Sequence, residues 1–365
     1  MHSIKSTNLI MAFLFIGEGS FSEVYRVKRK GDNTVYAMKK VKMGKLSAKE
    51  KENALNEVRI LASVNHPNVI GYKEAFFEDQ TNCLCLVMEH ADGGDLLMLI
   101  NNHKKSNTSF TEKQVWHFFI QIIRGLKALH DLRICHRDIK CANVFLTKEG
   151  VVKLGDMNVS RVVKGGMMRT QTGTPYYACP EVWKDMPYDN RSDIWSAGCV
   201  LYEMIMKMPP FRAQTMKGLY AKVLSGKYDP LPNHFSTDLK QVLRNCLQVR
   251  SSERPKCDKI LNMPGLLNHI TGTLDEIQQL IPDQENLMKT IRMPRRMGEI
   301  TERLPKPQYE QTNLKRTNSQ PQMKHEAIDG NTTGPNGLSA SKVVRPQVTS
   351  TGNRNTIDAG VNAKH

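Results

Sequence analysis

Residues 136–143 read His-Arg-Asp-Ile-Lys-Cys-Ala-Asn and hold side chains suited to moving a phosphoryl group. Asp138 can accept a proton from a hydroxyl, and Lys140 can neutralise a transferring phosphoryl group. Asn143 and, further along, Asp156 supply oxygen atoms for a metal ion such as Mg²⁺. We therefore take Asp138, Lys140, Asn143 and Asp156 as the candidate catalytic residues, and expect His136 to be a packed structural side chain.

An upstream stretch offers a binding site for the donor nucleotide. Residues 17–24 read Gly-Glu-Gly-Ser-Phe-Ser-Glu-Val, in which glycines let a hairpin approach phosphates closely. Lys39 follows fifteen residues after Val24, and Glu57 lies on a predicted helix from which it can orient the ammonium. Taken singly, the glycines fit a plain β-turn and the two charges fit a solvated surface. Together, a glycine-rich stretch, a lysine fifteen residues after it and a glutamate on the following helix favour a nucleotide-binding site.

The surrounding pattern predicts an α+β fold with two lobes. Short apolar runs from about 9 to 89 indicate a small sheet, interrupted by one helix that begins at a capping box of Ser47 and Glu50. Longer helical periods follow, such as the helix opened by Thr111 and Gln114. A doubly wound parallel sheet is disfavoured because the second part has a long stretch without strands.

These patterns divide the chain into a catalytic domain over 9–269, with lobes of about 9–90 and 91–269, followed by two further segments. Residues 270–309 are predicted to be a short helical and basic extension. Residues 310–365 are polar with few apolar side chains, so we expect disorder there.

The composition limits the partners. The formal net charge is +16, and residues 283–365, with 13 Lys or Arg against 8 Asp or Glu, contribute +5 of it. This field favours acidic partners. The basic residues lack interleaved aromatic side chains, which argues against nucleic acid as a partner.

The longest early apolar run, residues 9–16, is too short to cross a membrane and fits a first strand better than a signal peptide. The eight cysteines lack zinc-site spacing and are expected to be reduced thiols.

The motifs resemble those of eukaryotic protein kinases over roughly residues 9–269, and Lys140 is the form found in their serine/threonine branch. Residues 86–96, 173–177 and 192–203 resemble NIMA-related kinases, and 156–160 resemble a ciliate, algal and plant subgroup. The resemblance implies the bilobal kinase fold and a need for ATP and Mg²⁺. It also implies that the adenine forms hydrogen bonds with the backbone of Glu89 and Ala91. The residues it implies around the nucleotide are Ile16, Gly17, Gly19, Val24, Ala37, Lys39, Glu57, Met88, Glu89, Ala91 and Phe145.

Three positions depart from the kinase pattern. Ser22 replaces the third glycine of the loop, and Met157 and Asn158 replace the Phe and Gly that usually follow the metal-binding aspartate. None of the changes removes a catalytic atom, so we expect an active enzyme. The alternative is a catalytically weak pseudokinase that serves as a scaffold.

The resemblance also implies structural and regulatory roles. Glu181 is expected to pair with Arg254. Asp193 is expected to brace residues 136–143, here called the catalytic loop, and Thr174 to contact Asp138. The candidate regulatory phosphosites are Thr170 and Thr172, since a phosphate there can pair with Arg137; ordinary exposed threonines are the alternative.

The cellular expectations follow from the same resemblance. They are phosphorylation of Ser or Thr in proteins, a cytoplasmic location with possible enrichment at the cytoskeleton, basal body or cilium, and an acidic microtubule or ciliary partner. No heptad run follows the catalytic region, so we expect a monomer. The physiological substrate, the upstream activator and the partner of the tail are not indicated by the sequence.

Overall fold

The computed structural model of the chain describes residues 9–19, 21–156, 175–270, 291, 293–294 and 297–309. The first part of the described chain is an antiparallel five-stranded sheet in the order β1-β2-β3-β5-β4, which leaves β1 and β4 at its edges. Its strands are β1 (Leu9–Gly19), β2 (Ser22–Arg29), β3 (Val35–Lys42), β4 (Tyr72–Glu78) and β5 (Cys83–Glu89).

One long helix, α1 (Ala48–Ala62), packs against this sheet. The predicted capping box is present, since the Glu50 amide donates to Ser47 Oγ and the Ser47 amide donates to the Glu50 carboxylate. The apolar face of α1, which includes Leu55 and Val58, is buried in a cluster with β4 and β5. The helix therefore has a defined start and a buried face, and both fix the position of Glu57.

The second part is mainly helical, with one short hairpin of β6 (Val144–Leu146) and β7 (Val152–Leu154). A large hydrophobic core surrounds the central helix α3. The helices described here are α2 (Leu96–Lys105), α3 (Glu112–Asp131), α4 (Pro180–Trp183), α5 (Asn190–Met206), α6 (Met216–Ser225), α7 (Thr237–Cys246), α8 (Cys257–Leu261) and α9 (Pro264–Ile270). A β-rich lobe joined to a helical lobe confirms the predicted α+β fold.

Further features of the structure bear on the predicted organisation of the chain, whose domain boundaries stay a prediction. Within the predicted extension 270–309, Met297–Arg303 forms a 3₁₀ helix that lies against β4, a contact that we did not expect. The predicted disorder of 310–365 falls outside the described residues. No helix in the described ranges is both long and apolar enough to cross a membrane. All eight cysteines are free thiols, and seven of them are buried.

The close packing of α3 against the hairpin gives a stability prediction. A Cβ at Gly125 would lie 2.6 Å from the carbonyl oxygen of Asn68 and 2.9 Å from Leu154 Cδ1. Overpacking of this kind costs about 1–3 kcal/mol, and Ala recovers roughly 1 kcal/mol of helix propensity. We therefore expect Gly125→Ala to lower the free energy of unfolding by up to about 2 kcal/mol, measured by denaturant titration.

The control for this prediction is Gly31→Ala, because the nearest atoms to its added Cβ lie at 3.8 Å. That surface change is expected to stay within about 0.5 kcal/mol of the native chain. Equal stability of the two variants would contradict the packing argument.

Candidate active site

A cleft of about 480 Å³ lies between the two lobes, and it has an apolar interior and a polar end. Val24 and Ala37 come from the sheet and Phe145 from the β6–β7 hairpin, so apolar surfaces face each other as a flat heterocycle requires. Every residue that the resemblance implied for nucleotide contact lines this cleft: Ile16, Gly17, Gly19, Val24, Ala37, Lys39, Glu57, Met88, Glu89, Ala91 and Phe145.

Two strands build the glycine-containing part of the cleft lining. β1 and β2 pair as a hairpin in which Gly17 is opposite Val24 and Gly19 is opposite Ser22. A Cβ at Gly17 would meet no atom within 4 Å, so the space beside this backbone is open. Such a backbone can approach a phosphate closely.

At the polar end, Lys39 forms the predicted ion pair with Glu57. Lys39 Nζ lies 2.8 Å from Glu57 Oε1 and 3.0 Å from Asp156 Oδ1. Burial alone would lower the pKa of Lys39, but the two carboxylates outweigh burial and raise it above its ordinary value. Lys39 in turn lowers the pKa of Asp156. A fixed ammonium and an ionised carboxylate therefore face the cleft together.

The catalytic loop brings its three candidate residues into contact. Lys140 Nζ lies 2.9 Å from Asp138 Oδ2, and Asn143 Nδ2 donates to the same oxygen at 3.0 Å and to the Asp138 carbonyl at 2.8 Å. These bonds hold the Asp138 carboxylate in one orientation. The arrangement suits a group that receives a proton from a positioned hydroxyl.

A buried carboxylate below the loop sets its backbone. Asp193 on α5 is fully buried and accepts hydrogen bonds from the amides of His136 and Arg137, both at 2.9 Å. Arg137 has a φ of 67°, a left-handed conformation that is rare for a residue other than glycine. Asp193 therefore braces the loop, as the resemblance implied, and the bond to Arg137 offsets this local strain.

His136 has the structural role that we expected. Its side chain is fully buried, and burial lowers its pKa. The imidazole is therefore neutral around pH 7 and packs beneath the loop.

The donor set fits a magnesium ion. The Asp156 carboxylate is ionised, and the Asn143 amide nitrogen is bonded to Asp138, so the amide oxygen of Asn143 is the atom that suits a metal. Hard oxygen donors in small number are what Mg²⁺ takes beside phosphates. Asp156 also has a positive φ of 53°, a conformation that aspartate tolerates better than most residues.

A buried ion pair anchors the start of α4. Arg254 Nη1 and Nη2 donate to the two carboxylate oxygens of Glu181 at 2.6 and 2.7 Å, and Ser192 Oγ donates to Glu181 at 2.6 Å. This is the pair that the resemblance implied. Met157, Asn158, Thr170, Thr172 and Thr174 all lie outside the described residues.

Sequence reasoning missed two parts of the site. Glu203 on α5 is buried and accepts hydrogen bonds from Tyr177 Oη and, at 3.4 Å, from Cys141 Sγ. Burial raises the pKa of Glu203. This network ties the catalytic loop to the chain that precedes α4, and the one available signal was a glutamate within an apolar helical run. The second missed contact joins Lys153 to Glu89 at 2.6 Å, beside the nucleotide cleft.

The Lys39 contacts give an activity prediction. Lys39→Met is expected to lower kcat/KM for ATP by about 10²–10³-fold, because it removes a preorganised cation from the phosphate site. Lys40→Met is the matched control, since Lys40 is the next residue of β3 and pairs with Glu78 at 2.7 Å. Steady-state kinetics with varied ATP measures both. A similar loss of kcat/KM in the two variants would show that any positive charge on β3, rather than the position of Lys39, determines activity.

Comparison with known proteins agrees with this geometry. Residues 13–266 match the family described as Protein kinase domain. Serine/threonine-protein kinase Nek1 of Mus musculus is 40% identical over 278 residues, which cover 76% of this chain and 22% of that protein. Serine/threonine-protein kinase Nek5 of Homo sapiens is 40% identical, with 70% of this chain and 36% of that protein covered.

A third relative extends the comparison beyond animals. The probable serine/threonine-protein kinase nek2 of Dictyostelium discoideum is 35% identical, with 67% of this chain and 60% of that protein covered. The chain thus spans between about a fifth and three-fifths of the length of these three relatives. The family match covers well over half of the chain, and the chain belongs to the protein kinase family and, within it, to the NIMA-related (Nek) serine/threonine kinases.

Proposed function

We propose that this chain transfers the γ-phosphoryl group of ATP to serine and threonine hydroxyls of proteins. The observation that carries the proposal is the proximity of two clusters. Lys39 lies 2.8 Å from Glu57 and 3.0 Å from Asp156 at the polar end of the cleft. Beside it, Asp138 contacts Lys140 and Asn143, and the carbonyl of Asn143 accepts a hydrogen bond at 3.2 Å from the amide of Gly155, the residue before Asp156. Membership of the serine/threonine kinase family supports the choice of acceptor.

The residues divide the reaction between them. The acceptor oxygen forms a bond to the γ-phosphorus while the bond from that phosphorus to the β,γ-bridging oxygen breaks, and Asp138 receives the hydroxyl proton. Lys39 binds phosphate oxygens of ATP, and Lys140 neutralises charge on the transferring group. Asn143 and Asp156 would hold Mg²⁺, which supplies charge neutralisation on the phosphates when it is bound.

Incubation of the full chain with γ-labelled ATP, Mg²⁺ and a generic protein substrate tests this function. We expect label on serine and threonine, and a loss of label when Mg²⁺ is chelated. Phosphorylation at the candidate sites Thr170 and Thr172 is first verified by mass spectrometry. MgATP that raises the melting temperature without any turnover would contradict the enzyme and favour the pseudokinase scaffold.

We also propose a cytoplasmic, monomeric protein that associates with an acidic cytoskeletal surface, of the kind found on microtubules of the basal body or cilium. The net charge of +16 supports this proposal. Co-sedimentation with microtubules that retain or lack their acidic tubulin tails tests it. Binding that is equal with and without the tails, or that is insensitive to salt, would contradict it.

A further inference from the structure

The segment 297–309, here called the strap, follows the kinase domain in the chain and packs on the N-terminal lobe. Its two apolar anchors are Ile300, which has no exposed surface, and Leu304, which is 8% exposed. Both belong to the same hydrophobic cluster as Leu55 and Val58 of α1 and Tyr72 of β4. The strap therefore completes the core on which α1 rests.

Hydrogen bonds fix the strap along β4, an edge strand of the sheet. The amide of Phe77 donates to Thr301 Oγ1 at 3.1 Å, and the amide of Gln308 donates to the carbonyl of Lys73 at 2.6 Å. Tyr72 Oη donates to the Pro305 carbonyl at 2.8 Å. Edge strands expose unpaired backbone groups, and these bonds satisfy some of them.

The end of the strap is held by an aromatic residue and reaches α1 itself. Tyr309 Oη donates to Glu74 at 2.7 Å, and the Tyr309 ring lies 3.6 Å from the Arg29 guanidinium. Gln308 Nε2 donates at 3.3 Å to the carbonyl of Ala62, the last residue of α1. The segment thus contacts the sheet and the helix together.

This placement matters because α1 carries Glu57. In the structure with the strap in place, Glu57 lies 2.8 Å from Lys39. The strap does not line the nucleotide cleft, so it does not obstruct ATP. Removal of Ile300 and Leu304 would leave the cluster beneath α1 incompletely filled, and the helix could then shift.

We propose that the strap is a positioning element, in which Ile300 and Leu304 hold α1 in the orientation that presents Glu57 to Lys39. The proposal rests on the phosphotransferase function given above. It assigns to these two residues an effect on nucleotide binding and turnover that passes through Glu57. They are positioning residues, since neither touches the substrates.

A double-mutant cycle in the full chain tests this route. The Ile300→Ala/Leu304→Ala variant is compared with the native chain, and the same pair of changes is then introduced into Glu57→Gln. The measurements are the Kd of a non-transferable ATP analogue with Mg²⁺, kcat/KM and the melting temperature. Glu302→Ala is the control, because Glu302 is an exposed residue of the strap.

In the native background, the strap variant is expected to weaken analogue binding or lower kcat/KM by about tenfold, a typical coupling between sites. In the Glu57→Gln background the same changes should have an effect of less than about twofold. The melting temperature should fall equally in both backgrounds, and Glu302→Ala should leave all three quantities unchanged. A merely structural strap would lower the melting temperature without this dependence on Glu57.

The outcomes separate the two proposals. Additive effects of the strap variant and Glu57→Gln, or normal analogue binding and turnover in the strap variant, would overturn the positioning role while transfer by the native chain supports the function. Non-additive analogue binding in a chain without turnover would support the strap and contradict the function. A chain that binds no analogue in any form contradicts both. If the double variant does not fold, Ile300→Val gives the same comparison with a smaller perturbation.

Discussion

Asp138→Asn is expected to lower kcat by about 10²–10⁴-fold, the range associated with loss of general base catalysis. Asparagine keeps the shape of the side chain and an oxygen for Lys140 and Asn143, which contact Asp138 at 2.9 and 3.0 Å. It cannot receive the proton of the acceptor hydroxyl. The Kd of MgATP should therefore change by no more than about twofold, since Asp138 does not line the nucleotide cleft.

The measurement is single-turnover transfer to a protein substrate, paired with calorimetric binding of a non-transferable analogue. The phosphorylation state of the candidate phosphosites Thr170 and Thr172 is matched between the two chains before the measurement. Asp79→Asn, an exposed change in the β4–β5 turn, is the control. An Asp138→Asn variant that transfers phosphate at the native rate would contradict the assignment of the base.

The second large effect concerns stability. Arg254→Leu removes the buried partner of Glu181, and it also removes the donors to the carbonyls of Gln248 and Arg191. Loss of one partner of a buried pair costs about 3–5 kcal/mol, because the other charge stays buried and unpaired. We therefore expect Arg254→Leu to lower the free energy of unfolding by this amount, measured by denaturant titration at pH 7. Arg250→Leu is the control. The Arg250 side chain is 80% exposed, so its loss should cost no more than about 1 kcal/mol.

The same pair sets the pH dependence of that difference. Burial alone would raise the pKa of Glu181, but Arg254 outweighs burial and lowers it in the folded chain. A lowered pKa contributes stability above the unfolded value of about 4.3, and this contribution is lost as the pH falls through the folded pKa. The gap in the free energy of unfolding between the native chain and the Arg254→Leu variant should therefore narrow below about pH 4. A gap of constant size down to acid pH, or no gap at pH 7, would contradict the role of the pair.

Much of the site could be predicted because its chemistry is local in the chain. Asp138, Lys140 and Asn143 lie within six residues, and their mutual contacts follow from that short loop. The start of α1 was also predictable, since the capping box of Ser47 and Glu50 depends on residues three apart. The Lys39–Glu57 pair required only a strand, a helix and the expectation that they pack together.

The rest depends on long-range contacts. The strap joins residues more than 220 positions apart, such as Phe77 and Thr301, and its two apolar anchors lie in a polar region. Such sparse anchors give no helical or strand period. Glu203 looks like an ordinary surface glutamate until α5 is known to be buried on all sides, and only then does its bond to Tyr177 become apparent.

The most direct test of the central claim is a crystal structure of the loop-phosphorylated chain with Mg²⁺, a non-transferable ATP analogue and a substrate peptide. The predicted result has the adenine against the backbone of residues 89–91. It also has a metal ion at about 2.0–2.1 Å from oxygens of Asn143 and Asp156, and the peptide hydroxyl within about 3 Å of Asp138. An analogue bound elsewhere, or a metal ion held without Asn143 and Asp156, would contradict the account.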